Sequence, residues 1–277
     1  MAATRSGKRG FLEHTTSSFV DAMEHAFYAE QMARADGLLQ RLDPRVKLVG
    51  ILALVVPAAA SRSFMVIAAL FAVAVALAAL SRVSFGVLLK RVWIAVLLFT
   101  GVIALPAPFV TPGRVVYHLP GLGWSVTAQG AASAGYLVLR VETAATLCVL
   151  LVLTTPWNHV LKALRVFRVP AVLVTILGMT YRYLFLILQS AHDMFESRRS
   201  RMIGELTGRE RRRVAASSAG VLLSKTFDLS NEVYLAMQSR GYRGGVSSLD
   251  EFQVRGLDWA MLAAFAVVSI AAFWLGR

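Results

Sequence analysis

Two arginine clusters are the residues best suited to grip another molecule. The first is Ser197-Arg198-Arg199-Ser200-Arg201, and the second is Ala236-Met237-Gln238-Ser239-Arg240-Gly241-Tyr242-Arg243-Gly244. The arginines of each close a long helical pattern just before a glycine, Gly204 after Arg201 and Gly241 after Arg240. Helix capping accounts for part of this: a cation in the last turn complements the dipole by about 0.3–1 kcal/mol, and glycine takes the left-handed conformation just beyond it. The guanidinium fork also fits carboxylates and backbone carbonyls on a partner surface. A matched pair on consecutive helices of a charge-poor chain exceeds what capping needs. On the residues alone, capping and docking both stand.

Other reactive groups are scattered. Arg140 and Glu142 lie inside an apolar run, where ionisable side chains are functional candidates by default. Two residues apart on a helix, they do not face each other, so each should meet its own polar contact in the bundle. Arg182 sits between two tyrosines. The five histidines (His14, His25, His118, His159 and His192) show no ligand spacing, and the single cysteine, Cys148, sits in an apolar run. Neither a disulfide framework nor a metal centre is expected. The stretch Gly220–Thr226 resembles a phosphate-binding loop only faintly, because Ala219 and Ser224 stand where that loop needs glycine. No hydrolase motif appears. The expectation is a non-catalytic chain with no cofactor of its own.

The elements that carry these residues are membrane elements. The chain has 277 residues, 57% hydrophobic and only 16% charged, against about 25% charged in soluble domains. From Leu48 to Gln189 there are ten Lys or Arg and one carboxylate, Glu142. A net charge of +13 would suit nucleic acid if it formed a continuous basic face. Here the cations sit singly in short loops beside apolar runs, which the positive-inside rule explains, and nucleic acid is not expected as a partner. No cleaved signal peptide is expected at the N-terminus.

Residues Phe11–Gln40 read as amphipathic helix on the membrane surface. Asp43 should cap the first span, with Pro44 at its first position. Apolar runs follow at Val46–Ala60, Phe64–Leu80, Val92–Val110 and Gln129–Thr154, the last two separated by a loop rich in Pro and Gly. A basic amphipathic piece, Trp157–Arg168, precedes a long helix from Ala171 to about Ile203, which Gly204 and Gly208 should end. A second long helix should run from Arg209 to Arg240, with Lys225, Asp228 and Glu232 on a face apart from its apolar positions. Leu257–Leu275 is the last apolar run. Placing Arg41, Arg45, Lys47, Arg82, Lys90, Arg91, Lys162, Arg165 and Arg168 inside puts the N-terminus in the cytoplasm. The arginines beyond Arg198 stay inside only if Ala171–Leu188 does not fully cross. The expected architecture is therefore an all-α integral membrane protein with about five transmembrane helices and long cytosolic helices. Its parts are an interfacial segment 1–41, a four-helix region 42–154, a cytosolic helical insert 155–255 and a last span 256–277.

The stretch Asn231–Gly245, with Tyr-Leu-Ala-Met-Gln-Ser-Arg-Gly-Tyr-Arg-Gly inside it, resembles the second Ala-Arg-Gly motif of energy-coupling factor (ECF) transporter T components. The Leu42-Asp-Pro-Arg-Val-Lys-Leu entry, the Thr155-Pro156 corner and the first arginine cluster resemble the same family, most closely its cobalt-type CbiQ members. Ser239 stands in place of the motif's alanine, and the first motif lacks its glycine, reading Ser200-Arg201-Met202. The resemblance covers about Arg41 to Arg277. It implies a scaffold in the bacterial inner membrane whose two coupling helices dock, through Arg198–Arg201 and Ser239–Gly241, on two ABC ATPases that hold ATP and magnesium. It also implies a separate substrate-binding S component, CbiM-like, with or without a small CbiN-like subunit. The implied cargo is cobalt ion; nickel or a vitamin is the alternative. A polytopic membrane enzyme or a channel is the alternative of another class.

Overall fold

A computed structural model describes residues 33, 37–112, 114–118, 125–201, 207–243 and 256–276. Most of the Phe11–Gln40 segment lies outside the described residues. The described residues form an all-α membrane protein, with one short hairpin as the exception. They divide into two compact units. One is drawn from Ala29–Ala163 and Asp250–Arg277, and the other from Leu164–Leu249.

The first unit opens with a single turn, α1 (Leu38–Arg41), and then α2 (Pro44–Ala60). The α2 start forms as its residue types dictate: Asp43 accepts from the Arg45 N–H (2.9 Å), and Pro44, which has no N–H to leave unpaired, takes the first position. Near the other end Pro57 cannot donate to the Ala53 carbonyl. Ser269 of α11 (Gly256–Leu275) donates its hydroxyl there instead (2.6 Å). The same interface is close because residue 50 is glycine; a Cβ there would overlap the Phe265 ring.

Helices α3 (Phe64–Leu80), α4 (Phe85–Leu88), α5 (Ile94–Ala104) and α6 (Ala107–Val110) follow. A π turn, Leu89–Trp93, joins α4 to α5. The third apolar run, expected as one span over Val92–Val110, is thus broken. The helix gives way at Leu105-Pro106, because Pro106 cannot continue the hydrogen-bond ladder. The Pro- and Gly-rich loop beyond holds an antiparallel hairpin, β1 (Val115–His118) with β2 (Ser125–Thr127). An all-α reading had no place for it.

Helix α7 (Ala128–Thr154) is the hub of this unit, packing on α2, α3, α5 and α6. Its N-cap is Thr127, which accepts from the Gly130 N–H. Leu147, Leu150 and Leu153 of α7 meet Ile51 and Leu54 of α2, Leu70 and Leu77 of α3, and Phe265 of α11 in one core. A buried polar knot bolts one end of the bundle. Asp43 N–H donates to Asp258 Oδ1 of α11 (2.8 Å), and Lys47 Nζ donates to the Thr154 carbonyl of α7 (2.8 Å). Lys47 is only 1% exposed, so this charge, counted among the cytosolic positives that start the first span, is an internal tie.

After α8 (Trp157–Val166), the second unit contains α9 (Ala171–Arg201) and α10 (Gly208–Ser239), which pack on each other. Among the described residues, three helical stretches are long and apolar enough to cross a membrane: Ala128–Thr154, Ala171–Arg198 and Gly256–Leu275. Phe64–Leu80 and Ile94–Val110 are shorter apolar stretches.

Candidate coupling helices

At 31 and 32 residues, α9 and α10 are each roughly 47 Å long. One side of α10 is turned to α9. Thr226, Leu229, Val233 and Met237 line a cavity of about 490 Å³ together with Val172, Met179 and Tyr183 of α9. Other apolar positions of α10 point away: Leu223 is 58% exposed and Phe227 63%. Lys225, Asp228 and Glu232 border a smaller cavity of about 140 Å³ against Leu186, Ile187 and Ser190. All three are exposed, whereas Thr226, Leu229, Val233 and Met237 are partly buried, so the charges lie on a face beside the one turned to α9. The apolar residues of α10 spread over more than one side, so a single stripe does not describe it. On α9, Val172, Leu173 and Ile176 are each more than half exposed. The helix pair thus presents apolar surface that the described residues of its own unit do not cover.

Gly208 was expected to end the first long helix, and it opens the second. Thr207 caps α10 by accepting from the Glu210 N–H, while the Glu210 carboxylate accepts from the Thr207 N–H (2.8 Å) and hydroxyl (2.8 Å). Those two donors hold the Glu210 carboxyl below the usual carboxylate range. The Thr-x-x-Glu capping box was legible in the sequence and outranks a lone glycine. Gly204 lies outside the described residues.

The two arginine clusters behave differently. In the first, Arg198 is engaged inside the chain: its Nη1 donates to Ser217 Oγ (2.9 Å) and to the Val214 carbonyl (3.4 Å) of α10. It braces the end of α9 against the early turns of α10. Ser200 bonds back to the Ser197 carbonyl (2.9 Å), and Arg201, the last residue of α9, is exposed. Arg199 belongs to the same turn of α9. In the second cluster the helix closes in a Schellman motif. Gly241 sits at φ +74°, its N–H donating to Gln238 (2.9 Å), and the Tyr242 N–H donates to Met237 (3.0 Å). Ser239 bonds back to the Ala236 carbonyl (3.0 Å). The backbone closes this end by itself. Arg240 is exposed at the cap, and its side chain has no hydrogen-bond partner among the described residues.

The intramembrane pair also splits. Arg140 Nη2 donates to the Ser61 carbonyl at the α2–α3 loop (2.7 Å), the expected kind of contact. Glu142 is 5% exposed, and neither carboxylate oxygen has a hydrogen-bond partner among the described residues. Among those residues no group of three His, Cys, Asp or Glu could hold a metal ion.

The sequence pattern of the CbiQ cobalt transport proteins matches residues 36–251. The chain belongs to the CbiQ family. An uncharacterised protein of Methanocaldococcus jannaschii is 31% identical over 93% of this chain and 89% of its own length. The cobalt transport protein CbiQ of Rhodobacter capsulatus is 34% identical over 53% of this chain and 60% of its own. An energy-coupling factor transporter transmembrane protein of Listeria innocua is 24% identical over 86% of this chain and 93% of its own. This CbiQ-family chain is accordingly a membrane component of a transport system of the energy-coupling factor type, and not an enzyme.

Proposed function

We propose that this chain is the scaffold subunit of an ABC-type importer, coupling ATP hydrolysis in two partner ATPases to uptake of cobalt ion. The cobalt is held by a separate CbiM-like membrane subunit, with or without a CbiN-like one. The observation that carries this is the end of α10. Its backbone is already capped, yet Arg240 is exposed and makes no side-chain hydrogen bond to the described residues. An exposed arginine on a rigid helix end suits carboxylates and carbonyls lining a partner's groove. Arg201, with Arg199 in the same turn, is the matching contact at the end of α9, and Arg198 keeps the two helix ends in register. ATP and magnesium bind the ATPases; their closure moves the two helix ends, and the long helices transmit that motion to the substrate-binding subunit. Cobalt is supported by the family description and the Rhodobacter capsulatus relative.

The chain sits in the inner membrane with a cytoplasmic N-terminus. On charge parity α9 runs along the cytosolic side; its length and hydropathy support the second reading, in which it crosses. The functional test is purification through a tag on this chain. Two ATPases and a substrate-binding membrane protein should accompany it, and ATP hydrolysis should stop when the ATPases are inactivated. ATP turnover by this chain free of other proteins would refute the reading.

A further inference from the structure

In the first unit, α3, α5, α6 and α7 leave an apolar groove of about 830 Å³. Its walls include Trp93, Gly101, Ala104, Ala134 and Gly135, and Glu142 lines it as well. A Cβ added at Gly101 or Gly135 would meet nothing within 4 Å. These glycines inside helices, unfavourable there, are therefore not needed for packing among the described residues. Small residues at such positions let another helix approach closely in a bilayer. The second observation is the Glu142 carboxyl, shielded and without a hydrogen-bond partner among the described residues. A buried polar group in hydrocarbon costs free energy unless something donates to it or pairs with it.

We infer that this groove receives a transmembrane helix of the substrate-binding subunit, whose Lys, Arg, His or hydroxyl side chain pairs with Glu142. Depth argues for a protein occupant. Glu142 is midway along the 27-residue α7, about 20 Å from either end, out of reach of a lipid headgroup. An acyl chain fills the space but brings no donor. The open cavity gives the carboxyl room to swing toward an incoming donor. The inference rests on the preceding proposal that such a subunit exists and adds where it binds, apart from α9 and α10.

The test uses the complete complex in native membranes. A photo-crosslinking amino acid at Leu97, a groove-lining position that is 55% exposed, should capture the substrate-binding subunit. The same probe at Val267, on the exposed side of α11, should not. Gly101→Leu and Glu142→Leu should each lower retention of that subunit by about three- to tenfold, the range of interhelical polar contacts in bilayers, and leave the ATPases bound. Neither should destabilise the isolated chain, because the space over Gly101 is open and Glu142 loses no bond. Glu142→Gln should retain more of the subunit than Glu142→Leu. Crosslinks only to lipid, to residues 1–36 of this chain or to a second copy would overturn the inference. So would unchanged retention in both leucine variants. If the wild-type chain brings down no substrate-binding subunit at all, the proposed function itself falls.

Discussion

Arg198, Arg201 and Arg240 belong to similar sequence clusters and differ in their bonds. Arg198 is tied to Ser217 and Val214, so Arg198→Ala should loosen α9 from α10, at a cost of about 1–3 kcal/mol for a hydrogen-bonded charge. Faster amide exchange in the first turns of α10 would report it. Glu210 gives a pH signature at the same end. Its pKa is depressed in the folded state, so the stability it adds is fully present above its unfolded value and is lost as pH falls through the lower, folded one. Amide protection over residues 209–213 should therefore decline on acidification below the ordinary glutamate range, and Glu210→Gln should flatten that dependence. The Asp43 cap was legible because Asp-Pro before an apolar run has one common use. The Lys47 tie was not, since its partner is a carbonyl 107 residues away.

At the scale of elements, most helices fall where apolar runs and caps place them. α3 occupies Phe64–Leu80, and α7 begins one residue before the expected Gln129. The departures have local causes. Pro106 splits a run that hydropathy alone joins, and the hairpin hides in a segment whose Pro and Gly suggested only loop. A one-stripe reading of α10 fails because its apolar residues, Leu223 and Phe227 among them, serve more than one side. The bolt between α2 and α11 is testable. Ser269→Val strips the donor from the Ala53 carbonyl, which Pro57 cannot serve, and should cost about 1–3 kcal/mol. Gly50→Leu forces a side chain into Phe265 and should cost about as much or more through overpacking. Both should appear as lower unfolding temperatures in detergent, with Ser269→Thr milder than Ser269→Val.

For the whole molecule, membrane character was plain from the charge-poor middle, whereas the crossing state of α9 depends on balancing hydropathy against charge. In a background with Cys148 replaced by Ser, cysteines at Ser197 and Ser217, both exposed, should react only with cytosolic reagent, and one at Arg114 only from outside. Labelling of Ser217→Cys from outside sealed cells would mean that α9 crosses. Arg240 as a docking residue is tested most directly by copurification of the ATPases with Arg240 variants. Truncating one member of a buried charged contact costs about 2–5 kcal/mol. Arg240→Ala should leave the chain inserted, because Gly241 and Tyr242 close the helix without it, and should weaken ATPase assembly more than about tenfold. Arg240→Glu should be worse, and Arg114→Ala should assemble normally. If the Arg240→Glu chain still copurifies with both ATPases and supports full uptake, the arginine clusters are helix caps and the coupling assignment is wrong.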